Sequence, residues 1–144
     1  MNEYTYRDAT KGDIEQLHSL MLDLGYKVNK TDLLDRIELI RNKGDKLIVA
    51  DKDGVIVGVV QALIDIRLAE GKNGEIVSLV VSSASQGNGV GKKLLTLAKE
   101  FLLDSECNSI RVRANSVRKN AHEFYKALGF MEKKTQKIFE DRNV

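Results

Sequence analysis

The sequence predicts an α/β fold: a mixed, mostly antiparallel sheet of six or seven strands flanked by four helices. Residues 46–50 and 55–66 are rich in β-branched side chains, and Asp53-Gly54 between them favours a hairpin because both residues tolerate positive φ. Residues 75–81 form a nearly continuous apolar run, which precedes a glycine-rich turn, an amphipathic helix and a strand over 110–114. This crossover unit predicts two parallel strands.

The N-terminal third of the chain predicts one strand and two helices. Residues 4–9 alternate between apolar and polar side chains, as in a short first strand. We expect Asp13 to cap the first helix and Thr31 to cap the second. Gly25 and Gly44 follow the two apolar periodic patterns and predict where the helices end.

The C-terminal part predicts a fourth helix and two further strands. Residues 119–128 have an apolar face at helical spacing, and Gly129 follows it. Residues 130–132 and 135–139 have the pattern of strands. An exposed edge strand at 135–139 could pair two copies of the chain, which makes a homodimer an expectation of the sequence.

Length and composition indicate one ordinary globular domain over residues 1–144. The 23 Lys and Arg against 21 Asp and Glu give a net charge of +2, which disfavours nucleic acid as a partner. Cys107 is the single cysteine, so we expect no intramolecular disulfide, no metal site built on cysteines and an inert thiol. No signal peptide core or long apolar run is present, which predicts a cytoplasmic protein without membrane partners.

The glycine-rich turn is the candidate anion site of the sequence. Gln86-Gly87-Asn88-Gly89-Val90-Gly91 lies between a buried strand and a helix, where several backbone N–H groups lack helical partners. Glycine allows close approach of an anion to the backbone, and the helix dipole favours negative charge at the same end. Lys92 and Lys93 follow directly and could supply a cation. A turn used only for tight packing is the plainer interpretation.

Two nucleotide-binding motifs fit this turn poorly. A Walker A loop requires glycine where Gln86 stands and Ser or Thr where Lys93 stands. A dinucleotide fingerprint that begins at Gly87 requires glycine or alanine at Lys92. Both nucleotide hydrolysis and a nicotinamide cofactor are therefore disfavoured.

The sequence resembles the GCN5-related N-acetyltransferase (GNAT) family. The acetyl-CoA loop of that family has the pattern Gln/Arg-x-x-Gly-x-Gly/Ala, and Gln86, Gly89 and Gly91 fill its three fixed places. The segment from Asn115 to Phe130 is similar to the family's C-terminal signature Asn…Asn-x-x-Ala-x-x-Phe-Tyr-x-x-x-Gly-Phe. The resemblance implies an acyltransferase that moves the acetyl group of acetyl-CoA, without a metal, to the amine of a small molecule or a protein.

The resemblance also implies where the cofactor lies. In the family the fourth and fifth strands splay apart, and the pantetheine arm hydrogen-bonds to the open edge of the fourth strand. Carried over to this sequence, the cofactor-binding residues are Leu79, Val80, Val81, Gln86, Gly87, Asn88, Gly89, Val90, Gly91, Lys92, Asn115, Asn120 and Tyr125. A backbone N–H at or near Val80 could polarise the thioester carbonyl.

Two residues are expected to move protons by the same resemblance. Glu75 stands where histone-type members carry a glutamate base, although a solvated glutamate at a strand end is the plainer interpretation. Tyr125 matches the tyrosine that protonates the departing thiolate, and it also lies on the apolar face of its helix. His18 and His122 have no carboxylate or serine partner at a telling spacing, so surface or capping roles are expected. The alternative function is a non-catalytic acyl-CoA-binding or regulatory domain.

Overall fold

The computed structural model describes residues 3–112, 119–132 and 137–141. Five strands are described: β1 (Tyr4–Asp8), β2 (Lys46–Lys52), β3 (Val55–Arg67), β4 (Gly71–Val81) and β5 (Ile110–Val112). Four helices are described: α1 (Ile14–Asp23), α2 (Lys30–Lys43), α3 (Val90–Asp104) and α4 (Lys119–Ala127). The chain divides into two compact units, residues 1–113 and 114–144.

The described strands form one mixed sheet in the order β1-β2-β3-β4-β5. The first three pairings are antiparallel, and β4 pairs with β5 in parallel through Gly74↔Ile110, Glu75↔Arg111 and Ile76↔Val112. The mostly antiparallel mixed sheet and the parallel crossover through α3 are therefore confirmed.

Helices cover both faces of this sheet. A methyl group added at Gly58 of β3 would lie 3.0 Å from Leu94 Cδ1 of α3, so this face of the sheet meets α3. Successive strand residues point to opposite faces, and Val59 packs with α1 and α2 on the other side. This second core also contains Leu17 and Leu20 of α1, Ile37 of α2, Val49 of β2, Ile56 of β3 and Val80 of β4.

The β2–β3 hairpin turns where the sequence predicts it. Asp53 and Gly54 have φ of 50° and 90°, the left-handed region that this two-residue turn needs. Gln16 of α1 ties the hairpin down: its amide donates to the Gly54 carbonyl at 2.6 Å, and its carbonyl accepts from the Ile56 N–H at 2.7 Å. The hairpin is thus fixed to α1 by two hydrogen bonds.

The two predicted helix caps have different outcomes. Asp13 is the N-cap residue of α1 as predicted, but its side chain makes no capping hydrogen bond to that helix. Its carboxylate accepts from the Thr10 N–H at 2.8 Å, and a 3-10 turn, Lys11–Asp13, precedes the helix. Asn29, rather than Thr31, caps α2, because its side chain accepts from the Asp32 N–H at 2.8 Å. Neighbouring polar residues are all competent caps, so composition alone does not choose among them.

The C-terminal unit contains α4, which matches the predicted fourth helix. Gly129 follows it with φ of 92°, and the Phe130 N–H donates to the Tyr125 carbonyl at 3.0 Å. The structure assigns no strand to residues 130–132 or 137–141, and 133–136 lie outside the described residues. The sixth and seventh strands are therefore not confirmed, since the Phe130 N–H closes the helix end instead of joining a ladder.

Candidate active site

Strand β4 is longer and more irregular than its apolar run predicts. It begins at Gly71, so Glu75 lies inside the strand and not at its start. Ser78 is exposed and has φ of 54°, which few residues other than glycine adopt in a strand. The pairing with β3 shifts there, since Val59 faces Val80 whereas Gln61 faces Val77. The strand therefore contains a β-bulge, and its burial on both faces is limited to residues 73–76.

The bulge separates the part of β4 that pairs with β5 from residues 77–81, which are called the open half here because no partner is described for them on that side. On the β5 side, the described pairing extends from Gly74 to Ile76, and no described strand pairs with residues 77–81 there. The predicted splay between β4 and β5 concerns residues 113–118, which lie outside the described residues. Leu79 and Val81, predicted to bind the pantetheine arm, lie on this open half, and Val80 between them is 8% exposed in the core.

The glycine turn connects the open end of β4 to α3. Gly87 and Gly89 have φ of 85° and 79°, and no atom lies within 4 Å of a methyl group built on either. Within residues 3–112, the backbone N–H groups of residues 87–92 donate no hydrogen bond to another protein group. The two glycines thus allow a left-handed backbone conformation and are not required by close packing. In this conformation several backbone N–H donors have no acceptor within residues 3–112.

The amino end of α3 adds positive charge to these donors. Gly89 precedes the helix without a side-chain cap, and the first turn carries no acidic residue. Lys92 and Lys93 are exposed in that turn, while Val90 is 1% exposed and anchors it in the core. A helix amino terminus without a side-chain cap and with adjacent cations is suited to an anion such as phosphate.

Gln86 and Asn88 have different surroundings in the turn. The Gln86 amide donates to the Val81 carbonyl at 3.3 Å and so holds the turn against the end of β4. Asn88 is exposed at the tip. A 3-10 turn, Ser83–Ser85, with buried Ser85, leads into Gln86. The predicted loop residues from Gln86 to Lys92 are therefore brought together in one short segment next to the open strand edge.

Glu75 lies in a charged cluster on the sheet face opposite α3. Gly74 faces Leu102 of α3, so the next residue points to the other face. The Glu75 side chain is 12% exposed, and its Oε1 lies 4.0 Å from Nε of Arg111 on β5. Arg111 Nη2 also donates to Asp65 of β3 at 3.0 Å. Glu75 is thus a partly shielded carboxylate beside a guanidinium, not a solvated one.

Sequence reasoning missed Arg111 and Asp65. In the predicted strand over 110–114, Arg111 is the charged residue between Ile110 and Val112. A charge inside a parallel strand that should be buried on both faces signals a partner nearby. The register that brings it to Glu75 could not be obtained from the pattern alone.

The other predicted residues are described only in part. Tyr125 lies on α4 and makes edge-to-face contacts with Phe124 at 5.4 Å and Phe130 at 6.1 Å between ring centroids. Asn115 lies outside the described residues, and Asn120 is placed in α4 by its backbone. The two units are described separately, so the roles of these three residues stay predictions.

The histidine and cysteine predictions can be compared with their surroundings. His18 Nε2 lies 2.9 Å from the Val28 carbonyl in the segment before α2, which is a local structural contact. Cys107 is 8% exposed, and burial raises the pKa of its thiol. His122 is described by its backbone only. No group of three or more metal-ligating side chains occurs in the part of the chain that was described.

A groove on the first unit contains none of the predicted site residues. It measures about 200 Å³ and lies between the end of α2, the start of β2 and Phe101. Lys46 lines it, with Nζ 2.9 Å from Asp8 and 5.8 Å from the Phe101 ring centroid. Among the described helices, none is long and apolar enough to span a bilayer.

A glycine-rich turn whose amides have no described partner, at the positive end of a helix, is typical of α/β proteins that bind phosphate groups. The chain belongs to the acetyltransferase (GNAT) family, whose sequence profile matches residues 14–130. The family resemblance stated from the two motifs is therefore confirmed. Enzymes of this family use acetyl-CoA. No curated relative matches the sequence.

Solved structures share the fold over nearly the whole chain. Glucosamine-6-phosphate N-acetyltransferase from Arabidopsis thaliana is 21% identical with a TM-score of 0.84, covering 96% of this chain and 99% of the other. The aminoglycoside N-acetyltransferase AAC(6')-Iy in complex with CoA is 19% identical with a TM-score of 0.86, covering 96% and 95%. A transcriptional regulator from Bacillus halodurans C-125 is 29% identical with a TM-score of 0.81, covering 94% and 99%.

Proposed function

We propose that the chain is an acetyl-CoA-dependent N-acetyltransferase that acts on a primary amine by direct attack in a ternary complex. The observation that carries the proposal is the set of unpaired N–H groups over residues 87–92 at the start of α3. Acetyl-CoA carries a diphosphate, which these donors and Lys92 would hold. The family profile spans both units, which supports one catalytic domain over residues 1–144.

The open half of β4 would receive the pantetheine arm. An extended chain with amide groups can add to an unpaired strand edge through main-chain hydrogen bonds. The support for this placement is that no described strand pairs with residues 77–81 on the β5 side. The bulge at Ser78 turns the strand just before Leu79 and Val80. A backbone N–H released from the ladder there would stabilise the negative charge that develops on the thioester oxygen.

The transfer requires two proton movements. The amine nitrogen bonds to the acetyl carbon, the carbon–sulfur bond breaks, and the proton lost by the amine passes to Glu75, directly or through water. The thiolate of CoA takes its proton from Tyr125, so the products are an amide and a thiol. Both side chains then return to their starting states by exchange with solvent. No protein nucleophile is needed in this sequence.

Two variants and an amine panel test this proposal. Acetyl-CoA is supplied with glucosamine 6-phosphate, kanamycin, spermidine or a lysine peptide, and release of free thiol is measured. We expect turnover of at least one amine, and we expect Glu75→Gln and Tyr125→Phe each to lower kcat about 10- to 1,000-fold, because each removes a proton-transfer group. Unchanged kcat in both variants would show that these roles are assigned to the wrong residues.

A second function is favoured by one comparison. The Bacillus halodurans protein, at 29% identity, is named a transcriptional regulator, so a non-catalytic acyl-CoA-binding domain is the alternative. This alternative predicts that CoA binds and that no amine of the panel is acetylated. Binding with turnover supports the enzyme, and binding without turnover supports the regulatory domain. The cytoplasmic location and the homodimer remain parts of the proposal, to be checked by fractionation and light scattering.

A further inference from the structure

We infer that Arg111 is a positioning residue that holds the Glu75 carboxylate in its working orientation, an inference that rests on the proposed role of Glu75 as general base. The two residues are direct partners in the parallel β4–β5 pairing. Arg111 Nε lies 4.0 Å from Glu75 Oε1, and both side chains are mostly shielded, at 20% and 12% exposure. The guanidinium therefore lies beside the carboxylate on the face of the sheet opposite α3.

The Arg111 Nε–H group is a buried donor with no hydrogen-bond acceptor among the described residues. A buried N–H without an acceptor is destabilising, so it favours any small movement or bridging water that joins it to a carboxylate oxygen. Glu75 Oε1, within about one ångström of hydrogen-bond range, is such an oxygen. The donor thus restrains the Glu75 side chain toward the β5 side of the strand.

The other nitrogens of Arg111 are engaged elsewhere. Nη2 donates to Asp65 Oδ2 at 3.0 Å, and Nη1 lies 3.7 Å from Glu70 Oε2. Asp65 also pairs with Arg67 Nε at 2.8 Å, so its carboxylate is shared by two guanidinium groups. A planar guanidinium held at one edge can turn little about its stem. Arg111 therefore presents Nε to Glu75 from a fixed position and does not swing freely between partners.

Orientation of the base affects the chemical step more than binding of the cofactor. Glu75 and Arg111 pair with each other before the bulge of β4, whereas the glycine turn follows the end of β4, so loss of Arg111 should leave CoA binding intact. A base displaced by about one ångström loses on the order of 100-fold in rate. The inference thus predicts a fall in kcat with little change in the KM for acetyl-CoA.

The test is a double-variant cycle with Glu75→Gln and Arg111→Met, together with Arg111→Lys. With the panel amine that turns over fastest, we expect Arg111→Met to lower kcat about 10- to 100-fold and Arg111→Lys to restore part of it. In the Glu75→Gln background, Arg111→Met should lower kcat no further. Effects that multiply in the double variant would overturn the inference, because Arg111 would then act independently of Glu75.

A matched control is Arg67→Met, which removes a guanidinium from Asp65 and Glu70, the two carboxylates that are described as its partners. Its kcat should stay within about twofold of the parent, as for a substitution away from the reacting groups. An Arg67→Met variant as slow as Arg111→Met would overturn the inference, because the loss of rate would then not depend on the contact between Arg111 and Glu75.

Thermal unfolding of the same variants gives a readout that needs no acceptor. The decrease in Tm of the double variant should be about 2–4 °C smaller than the sum of the two single decreases, because each single variant already breaks the same interaction. Additive Tm shifts would contradict the inference whatever the activity. If Glu75→Gln alone leaves kcat unchanged, Glu75 is not the general base. This outcome differs from failure of the Arg111 inference, which is judged by whether the Tm shifts of the single variants add up in the double variant.

Discussion

At the scale of single residues, the pair formed by Arg7 and Asp13 shows how one carboxylate stabilises several elements. Arg7 donates to both carboxylate oxygens, at 2.8 and 2.9 Å, and also to Asp51 of β2 at 3.2 Å. The same carboxylate accepts from the Thr10 N–H before α1. Asp13 is 7% exposed. The pair therefore connects β1, the start of α1 and β2 in a partly buried network.

This network predicts a loss of stability in acid. The hydrogen bonds from Arg7 hold the pKa of Asp13 below its ordinary value, against the opposing effect of burial. A folded-state pKa below the unfolded value stabilises the fold above about pH 4, and this stabilisation is lost as pH falls through the folded pKa. We expect Asp13→Asn to lower the free energy of unfolding by about 1–3 kcal/mol at pH 6, with a smaller deficit at pH 3.

Urea unfolding at the two pH values measures this difference. The control is Asp8→Asn, because Asp8 also pairs with a cation but its side chain is 58% exposed. Its effect should be at most about 0.5 kcal/mol. A deficit of Asp13→Asn that is equal at pH 6 and pH 3 would contradict the ionised pair as its source.

At the scale of elements, the glycine turn and the β2–β3 hairpin offer a matched pair of glycines. Gly89 and Gly54 have φ of 79° and 90°, and neither has an atom within 4 Å of an added methyl group. Alanine at either position should cost about 1–2 kcal/mol of stability through backbone strain. Gly54 lies in the hairpin turn, whereas Gly89 borders the unpaired amides before α3.

The two substitutions should therefore differ only in cofactor binding. We expect Gly89→Ala to weaken CoA binding about 10- to 100-fold, because a shifted turn misdirects N–H groups that bind a charged phosphate. Gly54→Ala should leave the Kd for CoA unchanged. Isothermal titration with CoA measures both, and equal affinities in the two variants would remove the turn from the cofactor site.

Much of the element pattern could be predicted from the sequence, for physical reasons that also explain the failures. The hairpin at Asp53-Gly54 and the crossover through α3 follow from turn chemistry and apolar periodicity, which are local properties. The bulge at Ser78 leaves no local signal, because one extra residue changes register without changing composition. The cluster around Arg111 depends on the register of three strands, which no single segment encodes.

At the scale of the whole molecule, the question is whether the two compact units behave as one domain. The family profile covers residues 14–130 and so extends from the first unit into the second. The two solved N-acetyltransferase structures each align with 96% of the chain. A ligand that binds the native state alone stabilises every part that unfolds with its site.

A single cooperative transition that CoA shifts upward is therefore the expected outcome for the full chain. At a CoA concentration of 100 times its Kd, binding adds about 2.7 kcal/mol, or about 5–11 °C in Tm for a chain of this size. ATP and NAD should shift the Tm much less, because neither carries a pantetheine arm for the open edge of β4 and the turn lacks both nucleotide motifs. Calorimetry with each ligand measures this. Two transitions, of which CoA moves only one, would mean that the units fold independently, and a larger shift with ATP would favour a nucleotide-phosphate site on the same turn.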